Sequence, residues 1–109
     1  MIYNKLVRDN IPEIIARQGK KVTFRVLHDD EKEQALKDKL IEEVQELLKA
    51  DTREKVIEEM ADVQEVLIAL RSRYKIKLVE VQTVGVNKHA ERGGFENGYF
   101  LESVEDDQQ

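Results

Sequence analysis

The sequence has no cysteine. That excludes a disulfide framework, a thiolate metal site and a cysteine nucleophile. Aromatic residues make up only 6% of the chain, so few large side chains are available to fill a core. Positive charge is the minority sign: 18 Lys and Arg face 23 Asp and Glu, for a net charge of −5. A general nucleic-acid coat needs the opposite balance, so no nucleic-acid polymer is expected as a partner. A phosphorylated substrate held through metal ions stays open. Long apolar runs are also missing. No stretch has the uninterrupted length of a membrane span, and "MIYNKLVRDNIPEII" carries charges where a signal peptide would be apolar. The expectation is a soluble, cytoplasmic protein without a membrane partner.

What is present is charge with periodicity. At 109 residues the chain suits a single domain, 1–109, whose modest core would benefit from a further interface. A short helix is expected at Ile11–Gln18, with Asn10 as cap, Pro12 in the first turn and Gly19 as the stop. "KVTFRVL" (21–27) alternates and is rich in β-branched residues, which predicts a strand. A second helix, capped by Asp29 or Asp30, runs to about Ala50. A third runs to about Tyr74, with Asp51–Glu54 resembling a capping box. The short break between these two makes them antiparallel neighbours. Residues 77–92 have valines that favour a strand, but their length and the Gly93-Gly94 stop favour a helix, which is the reading adopted. "YFLESV" (99–104) reads as a second strand, and "EDDQQ" as a frayed acidic tail. The fold class expected is mainly α, an antiparallel helical bundle with a small β element.

Two acidic stretches carry the chemistry: "EEVQE" (42–46) and "EEMAD" (58–62). A helix advances about 100° per residue. With Leu36, Leu40, Val44, Leu47 and Leu48 as the apolar stripe, Glu43 and Glu46 fall on one flank and Glu42 nearly opposite, in solvent. With Val56, Met60, Val63, Leu67 and Leu70 as the stripe of the third helix, Glu59 and Asp62 fall on the same-handed flank, and Glu58 faces away. In an antiparallel pair these flanks meet. Four carboxylates along one seam are costly unless protonated or bound to a divalent cation. All-oxygen ligands favour Mg²⁺, with Mn²⁺ as the alternative. The bland reading is that they are ordinary solvated helix-face acids.

"EEVQE" followed by "EMAD" resembles the EExxE…ExxD signature of the MazG-like all-α nucleoside triphosphate pyrophosphatases, relatives of phosphoribosyl-ATP pyrophosphohydrolase and the dimeric dUTPases. "KLVRDNIPEII" (5–15) and "NKHAERGGF" (87–95) look like a branch described as house-cleaning enzymes that remove non-canonical nucleotides. The resemblance implies a helical fold assembled as a homodimer or homotetramer, and Mg²⁺-dependent cleavage of a nucleoside triphosphate to monophosphate and pyrophosphate. It carries the catalytic metal ligands onto Glu43, Glu46, Glu59 and Asp62. The chain is short for that family, and a compact site borrowing residues from a neighbouring subunit would fit.

A triphosphate also needs cations. Lys88 and Arg92, four residues apart, share a face, and Lys5 and Arg8 of "KLVRD" form a second pair. These four are the expected phosphate-binding residues. The competing class is a non-enzymatic helical protein-interaction module, whose acids are solvated and whose apolar flank binds a partner.

Overall fold

The computed structural model describes residues 1–106 and contains four helices: α1 (Ile11–Arg17), α2 (Asp29–Lys49), α3 (Arg53–Arg73) and α4 (Leu78–Arg92). The expected helices are all present, within a residue or two at their ends. The chain divides into two compact units, one ending at Ile76 and one beginning at Lys77. No helix among the described residues is long and apolar enough to cross a membrane. The acidic tail expected at 105–109 reaches beyond the described residues.

The first unit is built on the α2–α3 hairpin. α2 opens with Asp29, Asp30 and Glu31, whose charges suit the positive end of the helix dipole. Its N-cap is His28, not either aspartate. α3 is capped by Thr52 rather than Asp51: the Thr52 hydroxyl accepts the Lys55 backbone N–H at 3.2 Å. At the far end of the hairpin, Arg73 reaches from α3 to Asp30 (3.6 Å) and Glu33 (3.5 Å) on α2. Gly19, at φ 81°, follows the last turn of α1, and its N–H donates to the Ala16 carbonyl.

The contact between α2 and α3 is rotated from the expected one. Leu36 and Val66 are the two buried residues, at 3% and 7% exposure. Around them the half-buried positions include Leu40, Glu43 and Leu47 on α2, and Val56, Glu59, Val63 and Leu70 on α3, which with Leu36 and Val66 mark the seam. These advance by alternating threes and fours, the spacing of a knobs-into-holes seam. Val66, outside the expected stripe, is therefore central. Val44, Leu48, Met60 and Leu67, expected in the stripe, remain exposed. The physical reason is that each helix has apolar residues over two adjacent sectors. The pair covers one sector, in which Glu43 and Glu59 are half-buried, and leaves the other uncovered.

The small β element is not formed: neither 21–27 nor 99–104 is a strand, and no strand occurs among the described residues. β-branched alternation gives a segment the capacity to pair, but a strand exists only in a hydrogen-bonded ladder. The second unit contains α4, which settles the 77–92 ambiguity in favour of the helix. Glu80 accepts the Lys77 backbone N–H at 2.7 Å at its start. Gly93, at φ 80°, ends it in a conformation that favours glycine.

Candidate active site

The carboxylates of Glu43, Glu59 and Asp62 converge at mid-hairpin. One oxygen from each lies within 4.8 Å of the other two. α2 supplies Glu43 from a seam position, where the side chain is only 12% exposed. α3 supplies Glu59, also in the seam, and Asp62 at its edge. Three of the four expected ligands are thus brought together. Glu46 lies outside the trio, half-exposed, with Lys49 at 4.0 Å.

The crowding has an electrostatic signature. Desolvation raises the pKa of Glu59 above the ordinary carboxyl range, and the charges of Asp62, Glu43, Glu46 and Glu58 push it the same way. Two responses relieve such a site, a bound proton or a bound cation. The geometry suits a cation. Mg²⁺ holds oxygens at about 2.0–2.1 Å, so the three carboxylates, which now lie within 4.8 Å of one another, would have to draw closer to share one ion. The donors are all oxygen, as a hard cation requires.

Several cations surround the acids. Lys39 is 3.3 Å from both Glu42 and Glu43, and its own side chain is only 17% exposed. Lys5 reaches Glu42 at 3.6 Å. Arg8 Nη2 donates to Asp62 Oδ1 at 2.7 Å, and Arg8 Nη1 lies 3.6 Å from Glu65. Glu42 is accordingly half-buried between two lysines, not in open solvent as its helix angle suggested. Glu58 does face outward. Lys88 and Arg92 lie on α4 in the second unit, both exposed.

Sequence reasoning passed over Lys39 and Glu65. The signal for Lys39 was its position four residues before Glu43 on the same helix face. Glu65 gave no signal of its own, because only the path of the N-terminal segment brings Arg8 to it. A cleft of about 260 Å³ beside Glu59, lined also by Glu46, Lys49, Ala50 and Lys55, was likewise not anticipated. It lies at the turn end of the hairpin, where α2 ends and α3 begins.

The family model for phosphoribosyl-ATP pyrophosphohydrolase matches residues 12–84. The chain belongs to this MazG-like family. The matched stretch contains all four acids of the site and both helices that carry them. It begins after Lys5 and Arg8 and ends before Lys88 and Arg92. A protein of Mycolicibacterium smegmatis, described as uncharacterized, is 52% identical over 54 residues. Those residues are 50% of this chain and 55% of that protein, so the chain spans about half the length of the curated relative it matches. No solved structure matches.

Proposed function

We propose that this family member is a Mg²⁺-dependent nucleoside triphosphate pyrophosphohydrolase that releases nucleoside monophosphate and pyrophosphate, with Mn²⁺ able to replace Mg²⁺. The observation that carries this reading is the convergence of Glu43, Glu59 and Asp62, with Glu59 held above the ordinary carboxyl pKa. A solvated helix face would spread its acids, so the non-enzymatic interaction module fits less well.

In this reading Glu43, Glu59 and Asp62 hold the ion. Glu46, three residues along α2 from Glu43, would be the fourth ligand. A divalent ion bound there supplies charge neutralisation and a more acidic water. The protein's part is to hold the nucleotide so that water meets the α–β anhydride in line and pyrophosphate leaves. Lys5 and Arg8, which lie beside the acids, would take phosphate oxygens, so that negative charge gathering on the leaving group is met. Removal of non-canonical nucleotides in the cytoplasm is the role that suits the resemblance of "KLVRDNIPEII" and "NKHAERGGF". A phosphoribosyl-ATP-like substrate is the second reading, favoured by the family match.

The active form is proposed to be a homodimer or homotetramer. Ile41, Leu48, Ile57, Met60 and Ile68 leave an apolar face of the hairpin uncovered, at 48–79% exposure. A second copy covers such a face.

The test is a panel of canonical and modified nucleoside triphosphates, with phosphoribosyl-ATP included, incubated with Mg²⁺ and assayed for both products. Stoichiometric monophosphate and pyrophosphate from at least one nucleotide are expected. Glu59→Gln should lower kcat/KM at least about 100-fold with helicity intact. Failure of every nucleotide with both Mg²⁺ and Mn²⁺ overturns the reading.

A further inference from the structure

The "KLVRD" stretch lies before the family match, yet its two cations land on acids of the hairpin. Lys5 and Arg8 are three residues apart and reach different helices, Lys5 to Glu42 on α2 and Arg8 to Asp62 on α3. The segment therefore lies across the α2–α3 seam at the level of the carboxylates. Arg8 is the member that touches the site itself, through Asp62 Oδ1 at 2.7 Å.

We propose that Arg8 and the divalent ion compete for Asp62, and that loading of the ion drives the Arg8 guanidinium off Asp62 and onto the phosphate of the incoming nucleotide. This inference rests on the metal-site reading above and deepens it.

Two effects of Arg8 on a cation at Asp62 oppose one another. A hydrogen bond to a ligand carboxylate orients it, which helps metal binding. A positive charge beside the ligand repels the metal. Orientation requires a rigid partner, and Arg8 is a poor one: its side chain is 51% exposed, that of Asp62 is 41% exposed, and Arg8 belongs to no helix. Repulsion requires only proximity. With two charges on the ion and one on Arg8, whose Nη2 stands 2.7 Å from a ligand oxygen, it is sizeable even at the dielectric of water. Repulsion wins, so Arg8 weakens metal binding.

The structure also provides for the departure. Glu65 lies one turn along α3 from Asp62, 3.6 Å from the other Arg8 nitrogen. A guanidinium leaving Asp62 keeps this second contact and stays at the edge of the site. Its planar fork is then free on the side facing the ion, where phosphate oxygens arrive. Lys39 contrasts with it. It sits on α2 four residues from Glu43, largely buried, so the helix that carries Glu43 also fixes Lys39 beside it. Arg8 comes from a separate segment, as Lys5 does, but of those two it is Arg8 that touches an acid of the trio and is free to exchange one anion for another.

The two halves of the proposal carry opposite signs for one substitution. In the full-length protein, calorimetric titration with Mn²⁺ alone should show Arg8→Gln binding the ion about 5- to 15-fold more tightly than wild type, the range expected from the repulsion just described. Titration with inorganic pyrophosphate at saturating Mn²⁺ should show the same variant binding pyrophosphate about tenfold more weakly. Arg8→Lys, which keeps the charge but loses the fork, should return Mn²⁺ affinity towards wild type and restore pyrophosphate affinity only in part. A merely structural role would weaken both. Unchanged or weaker Mn²⁺ binding in Arg8→Gln, beside normal binding in wild type, overturns the exchange and leaves the metal site standing. Absence of Mn²⁺ binding in wild type overturns both.

Discussion

Glu59 is the residue on which the site's electrostatics turn. Its folded pKa is raised by desolvation first and by neighbouring acids second. The folded chain therefore holds this proton more tightly than the unfolded chain does. Stability falls as pH rises from the ordinary carboxyl range through the folded value, the reverse of the usual carboxylate. Glu31 shows the usual case: the Arg25 hydrogen bonds, at 2.7 and 3.0 Å, lower its pKa. Its contribution is present above the unfolded pKa and is lost as pH falls through the folded one. Replacing Glu59 with Gln removes a crowded charge and keeps the shape. In EDTA at neutral pH, Glu59→Gln should melt at a higher temperature than wild type, and the difference should shrink as pH falls into the carboxyl range. Melting curves across pH check this, and a variant that melts lower at neutral pH would remove the crowding from the explanation.

At the scale of the element, the hairpin rests on a thin seam and one good cap. Leu36→Ala should cost about 2–3 kcal/mol, the lower part of the range for a buried leucine, because a seam this narrow can partly collapse around the gap. Thr52→Ala should cost about 1 kcal/mol through loss of the bond to Lys55 N–H. Urea denaturation measures both. The helices were legible in the sequence because their punctuation is local: Pro12, Gly19, the break at 50–52 and Gly93. The convergence of Glu43, Glu59 and Asp62 was legible because matched offsets on an antiparallel pair survive a modest rotation of both helices. The rotation itself was not legible. Val44, Met60 and Leu67 are as apolar as Val63 and Val66, and composition does not say which sector the partner helix takes. The ionic contacts of Arg8 were not legible either, since they depend on the course of a segment without helical periodicity. The strands failed for the complementary reason: local propensity was present and a pairing neighbour was not.

For the whole molecule, the exposed sector of the hairpin predicts association. Leu48 is 79% exposed and Met60 53% exposed on that sector, and neither contributes an oxygen to the carboxylate site. Leu48→Glu should shift sedimentation towards the single chain and make melting less dependent on protein concentration. Unchanged sedimentation would place the subunit contact elsewhere. A hairpin whose buried residues are Leu36 and Val66 would gain stability from burying its second face.

The most direct measurement is the melting temperature of the wild-type protein as Mn²⁺ is added after treatment with EDTA. An ion that binds the folded chain alone stabilises it in proportion to the logarithm of its concentration above Kd. The melting temperature should therefore climb steadily with Mn²⁺, and Glu43→Gln and Glu59→Gln should flatten the climb. A wild-type melting temperature that stays constant into the millimolar range would mean that the three carboxylates do not gather to hold a cation.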